Sequence, residues 1–167
     1  MPQIGDEIKT KFLFTQSTAI QALFSAGNGD YQLIFLKRDY DNICAWYKYF
    51  ATGGATELNW HLTYNTWYEL TINASGKAES SSYSGISTPI AELDGDLTTL
   101  WLLKRHNESS SVTGSIGRFT ITHDNQKTLN LIPCIRQSDN TIGMYDTISK
   151  QFYDNAGSGV FNAGPVI

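Results

Sequence analysis

Apolar and polar residues alternate almost from the start of the chain. Over residues 7–15, Ile8, Thr10, Phe12 and Phe14 fall on one side and Lys9 and Lys11 on the other. That period of two marks a half-buried strand. A second apolar run, residues 20–26, ends at Gly27-Asn28-Gly29-Asp30 and is answered by residues 31–37. An Asn-Gly step between two such runs predicts a hairpin, because its turn requires positive φ. Asp39-Tyr40-Asp41-Asn42 turns the chain into a strand over 43–50, and Thr52-Gly53-Gly54-Ala55 turns it into another over 56–62.

Residues 66–72 set Trp67, Glu69 and Thr71 against Tyr68, Leu70 and Ile72. After the Ser75-Gly76-Lys77 turn, the polar run 78–83 reads as an edge strand. Residues 84–97, with Pro89 and Asp94-Gly95, read as irregular. Residues 98–103 are apolar on both faces, which predicts a central strand with Trp101 in the core. A Ser-rich loop over 107–114 leads to strands over 115–123 and 128–135, with a turn at His123-Asp124-Asn125-Gln126.

The last quarter is short strands and turn chemistry. Ser138-Asp139-Asn140 and Gly157-Ser158-Gly159 are turns. Ile142, Met144, Phe152, Tyr153 and Phe161 make an apolar face too small to bury itself. This segment is expected to close over a larger apolar surface, with Tyr145 and Asp146 anchoring it. The chain thus reads as about ten or more short strands with turn signals every 8–12 residues and no helical period, the pattern of a β-sandwich or barrel.

Composition narrows the class. A chain of 167 residues is one domain on size, and it needs neither disulfide nor metal to be stable. Aromatics reach 13% and charged residues only 17%, as in half-exposed strands. The net charge of −4 and the scattered Lys and Arg residues argue against a nucleic-acid partner, which would demand a concentrated basic face. No apolar run has the length of a membrane span. Residues 1–7 lack the basic and apolar parts of a signal peptide, and the first strand begins with almost no lead-in, so a longer parent chain is expected. Cys44 and Cys134, each in an apolar run, read as two buried free thiols.

Several segments together resemble a known family. Leu23-Phe24-Ser25-Ala26-Gly27-Asn28, Thr66-Trp67-Tyr68-Glu69-Leu70, Leu102-Leu103-Lys104-Arg105 and Gly114-Ser115-Ile116-Gly117-Arg118-Phe119-Thr120-Ile121 occur in that order. They resemble concanavalin A-like, laminin-G-like jelly rolls. The tail, from Leu131-Ile132-Pro133-Cys134-Ile135-Arg136 through Gly143-Met144-Tyr145-Asp146 to Asn155-Ala156-Gly157-Ser158-Gly159, is similar to a subgroup found in phage tail proteins and gut-bacterial surface proteins. The family's usual opening strand, a Tyr-Ile-x-Thr-Gly element, is missing here. The resemblance covers nearly the whole chain and implies an all-β, two-sheet antiparallel jelly-roll β-sandwich (concanavalin A-like) over residues 1–167. It also implies a binding or structural role at a virion tail or a bacterial surface.

The candidate chemistry is weighed against ordinary structure. Glu92-Leu93-Asp94-Gly95-Asp96 looks like the paired carboxylates of a glycan hydrolase, but its Asp-Gly centre reads better as a turn. His61, His106 and His123 stand apart, and no Gly-x-Ser-x-Gly elbow is present, so an enzyme is not expected. Asp39, Asp41 and Asn42 supply oxygens that suit Ca2+, yet they are also plain turn composition; no cofactor is expected unless it is this ion. The sharper expectation is carbohydrate. Tyr47, Tyr49, Trp60 and Trp46 are rings able to stack on sugars, and Arg38 is a hydrogen-bond donor beside them. Alternation puts Tyr47 and Tyr49 on one face and Trp46 on the other. The expected function is therefore non-catalytic attachment to a cell-surface glycan or host receptor, without membrane insertion and with oligomerisation through the parent protein. The alternative is a purely structural or oligomerising sandwich of a larger fibre, and a glycan hydrolase is the third reading.

Overall fold

The structure, a computed structural model, describes residues 5–16, 21–28, 31–37, 43–49, 55–74, 77–80, 83–87, 99–103, 113–155 and 161–164. Every regular element among them is a strand: β1 (Glu7–Phe14), β2 (Gln21–Asn28), β3 (Tyr31–Lys37), β4 (Ile43–Tyr49), β5 (Ala55–His61), β6 (Tyr68–Ile72), β7 (Lys77–Ser80), β8 (Ser84–Ser87), β9 (Thr99–Leu102), β10 (Gly114–His123), β11 (Gln126–Arg136), β12 (Thr141–Asp146) and β13 (Phe152–Tyr153). They form an eight-stranded sheet ordered β13-β12-β11-β10-β1-β6-β7-β8 and a five-stranded sheet ordered β5-β4-β3-β2-β9. All pairings are antiparallel.

The turns form where the residues permit positive φ. Asp124 and Asn125, at φ 46 and 62, join β10 to β11 as a two-residue hairpin loop, with His123 opposite Gln126. Both positions of such a loop need the left-handed region that Asn and Asp tolerate. Between β11 and β12, Asn140 has φ 59, and Asp139 Oδ1 accepts the Thr141 amide proton at 3.1 Å. The predicted Ser138-Asp139-Asn140 turn is there.

Three strand placements differ from the sequence reading. The run over 98–103 is not central among the described residues: β9 is there the edge of the five-stranded sheet and pairs with β2. Its two apolar faces arise because Leu100 and Leu102 pack on the core while Trp101 belongs to the opposite parity. Trp101 is half-buried and outside the core cluster. The run 78–83 is not an edge either, because β8, from a stretch read as irregular, pairs outside β7. Cys134 is a free thiol but only half-buried. Cys44 lies on β4 of the other sheet.

The two sheets share one core. Ile8, Phe12, Tyr68, Leu70, Ile72, Phe119 and Ile121 enter it from the larger sheet; Leu23, Phe24, Ala26, Leu58 and Trp60 enter it from the smaller. Phe24 meets Phe119 edge-on across the layer, with centroids 5.4 Å apart and planes at 71°. Such an arrangement adds about 0.5–1.5 kcal/mol beyond area burial. A second aromatic path runs Phe14, Phe12, Tyr68, Tyr83, Trp60. It begins on the larger sheet and ends on the smaller.

The tail is fastened as the sequence suggested for Asp146. Its side chain is buried (2% exposed). Oδ1 accepts the backbone N–H of Asn130 at 3.1 Å and of Ile148 at 3.0 Å. Oδ2 accepts the Ser149 amide at 3.1 Å and its hydroxyl at 2.6 Å. One carboxylate thereby ties β11 to the turn that follows β12. Gly143 does comparable work on β12: a Cβ there would collide with the Tyr153 carbonyl oxygen and sit 2.6 Å from Phe152 Cζ. The short strand β13 lies against that bare backbone. Gly143→Ala is expected to cost about 1–3 kcal/mol, the range for overpacking, and to speed amide exchange around β13. Urea denaturation with hydrogen exchange checks it; unchanged exchange at Tyr145 would show that β13 simply shifts aside.

Candidate functional site

Backbone register, read across the five-stranded sheet, gathers the aromatic candidates. One row crosses all the strands: Ala55 on β5, Tyr47 on β4, Ile34 on β3, Ser25 on β2 and Trp101 on β9. The next row places Tyr49, Gln32, Gly27 and Thr99 together. A neighbouring row of the other parity, Thr56, Trp46, Phe35, Phe24 and Leu102, runs through buried Phe24. Tyr47 and Tyr49 thus share row parity with Trp101, and Trp46 shares it with core residue Phe24. The side chains of Tyr47, Tyr49 and Trp46 lie outside the described residues, as do Arg38, Asp39, Asp41 and Asn42 and the Glu92-to-Asp96 run.

Trp60 is a correction. It is 1% exposed and stacks on Tyr83 at 5.7 Å with planes 18° apart. Leu58, Trp60 and Leu62 are all buried while His61 is exposed, so alternation delivers the indole into the core. Tyr83 is fixed in turn by donating its hydroxyl to the His61 carbonyl at 2.5 Å. Trp60 therefore cannot stack on a sugar.

Three polar arrangements were not visible in the sequence. First, Arg136 grips Asp139 with two nitrogens: Nε to Oδ1 at 2.9 Å and Nη2 to Oδ2 at 2.6 Å. Its guanidinium also lies 4.6 Å from the Phe152 ring centroid. The Arg136 hydrogen bond, helped by the Thr141 amide, holds the Asp139 carboxyl far below the usual carboxylate range. This is a clamp on the hairpin, with the Arg already satisfied. Second, Trp67 is 45% exposed on the outside of the larger sheet, with Lys11 Nζ 5.8 Å from its ring centroid. Third, His123 Nδ1 lies 2.8 Å from Oδ1 of Asp6, a carboxylate only 1% exposed.

Among the described residues, no group of three or more His, Cys, Asp or Glu side chains is placed to hold a metal ion. No described helix is long and apolar enough to cross a membrane. Comparison with known protein families, with curated proteins and with solved structures finds no match to this chain.

Proposed function

We propose that this protein is a non-catalytic binding module whose ligand is a cell-surface carbohydrate, built as a jelly-roll sandwich of the concanavalin A-like type. It belongs, on this reading, to a phage tail-associated or bacterial surface protein. The observation that carries the proposal is the register row that holds both Tyr47 and Trp101, with Tyr49 one row away. Three interstrand steps separate β4 from β9, a span of about 14 Å at the usual strand spacing. That is longer than one sugar ring, so an oligosaccharide is the fitting ligand class.

A glycan array on the purified protein tests the reading, followed by Tyr47→Ala against the best hit. Binding is expected to be lost, with Tm moving by less than the 2–4 °C that about 1 kcal/mol makes in a domain of this size. Undiminished binding by Tyr47→Ala would remove the row from consideration.

The second reading is a structural or self-associating sandwich domain. It is favoured by the exposed apolar side chains Ile135 (47%) and Tyr153 (46%) near the edge strand β13, because an uncovered sheet edge invites pairing. A blank array together with concentration-dependent self-association in sedimentation would select it.

A further inference from the structure

The β10–β11 hairpin tip carries a histidine that is unusually well prepared. Asp6 precedes β1, and it reaches the end of β10 because β1 and β10 pair, with Glu7 opposite Thr122. Gly5, at φ 85, turns the chain immediately before it. The Asp6 carboxylate is buried, and its Oδ1 is 2.8 Å from His123 Nδ1. A carboxylate there fixes the Nδ1–H tautomer when the ring is neutral and directs the Nε2 lone pair outward. The His123 side chain is 32% exposed.

What Nε2 faces is another carboxylate. Asp124 Oδ2 lies 3.5 Å away on a side chain that is 90% exposed. The tight loop holds the two together, since Asp124 and Asn125 both adopt positive φ. In the neutral-ring state the Nε2 lone pair and a carboxylate oxygen lie close enough to share one cation. The distance is informative. Two ligand atoms each about 2.0–2.2 Å from a tetrahedral ion stand roughly 3.4 Å apart. The observed 3.5 Å is that bite.

We propose that His123 Nε2 and Asp124 Oδ2 form a two-ligand site for a divalent transition-metal ion of the Zn2+ class, with Asp6 as the orienting partner behind the histidine. Water fills the remaining positions. The nitrogen ligand selects against Ca2+ and Mg2+, which take oxygen sets. Asp6 is separated from the ion by the imidazole and acts through it, as carboxylates behind metal-bound histidines do.

Titration of the whole chain with ZnCl2 at neutral pH, followed by calorimetry and by the imidazole nitrogen resonances, tests the site. One equivalent is expected to bind with a large shift at His123 Nε2 and a small one at Nδ1. His123→Gln should remove that equivalent, and Asp124→Asn, on an exposed side chain that folding does not need, should weaken it clearly. Asp6→Asn should weaken it by about 10–100-fold; because Asp6 is buried, its Tm is read alongside and Asp124→Asn keeps the test decisive. Failure of the wild-type chain to take up Zn2+ would overturn the proposal. So would uptake with unchanged affinity and stoichiometry in His123→Gln.

Discussion

Trp60→Ala is expected to lower the stability of the protein by about 3–5 kcal/mol, the range for removing a large aromatic from a packed core. In a domain of this length that is a fall in Tm of roughly 10 °C. The indole is 1% exposed, and its loss also strips Tyr83 of its stacking partner. Tyr83 is the link through which the path from Phe12 and Tyr68 reaches the smaller sheet. The variant should therefore loosen both sheets together, and the melting curve should shift without splitting. Differential scanning calorimetry decides the matter; a Tm within about 2 °C of wild type would mean the ring is not part of the core. The contrast with Tyr47→Ala, which should affect binding and leave stability alone, separates core aromatics from ligand aromatics in one experiment.

The second large effect is expected at Asp146. Removing its carboxylate leaves the amides of Asn130, Ile148 and Ser149 and the Ser149 hydroxyl without their acceptor. Buried donors stranded in this way cost about 1–3 kcal/mol each before water reaches them. Asp146→Ala is accordingly expected to destabilise by about 3 kcal/mol, the sum being reduced because the turn can hydrate. The same site predicts a pH dependence. Burial alone would raise the pKa of Asp146, but the Ser149 hydroxyl and the three amides outweigh it and hold the carboxyl below its ordinary value. A carboxylate depressed in the folded state gives stability that is complete above its unfolded pKa and is lost as pH falls through the folded one. The difference between wild type and Asp146→Ala in urea midpoint should thus be full at pH 7 and shrink steadily below about pH 4. A difference that stays constant down to pH 2 would assign the effect to packing instead of charge.

Much of the fold was legible because turn chemistry is local. Asn28, Asp124-Asn125 and Asp139-Asn140 announce hairpins through residues that tolerate positive φ, and the strands between them follow by alternation. Neighbour relations between distant strands were not legible. Nothing within residues 98–103 says that, among the described residues, β9 lies at the sheet edge beside β2, so two apolar faces suggest a central position although one of them belongs to Trp101. The same holds for β7, whose outer neighbour comes from a polar stretch without a strand signature. In the candidate site, the alternation of Tyr47 and Tyr49 against Trp46 was readable and agrees with the register rows. Trp60 has the ring a sugar site calls for, but Leu58, Trp60 and Leu62 fall on one parity with polar Asn59 and His61 on the other. That alternation already marked it as core. The Asp6–His123 contact joins residues 117 apart in sequence and exists only once β1 lies beside β10.

That β1 lies in the interior of the larger sheet, between β10 and β6, has a consequence for how the chain reaches this state. One partner of β1, the strand β6, is complete by residue 72, but the other begins at residue 114. During synthesis a nascent chain that stops short of β10 must hold Ile8, Phe12 and Phe14 on a strand with one bare edge. Loop closure on that scale is slow, and unpaired apolar edges are what aggregate. Strands β10 to β13, by contrast, pair in sequence order and need only short loops to meet. These four strands are the part best able to assemble quickly, and β10 closes the sheet around a strand β1 that has been waiting for it.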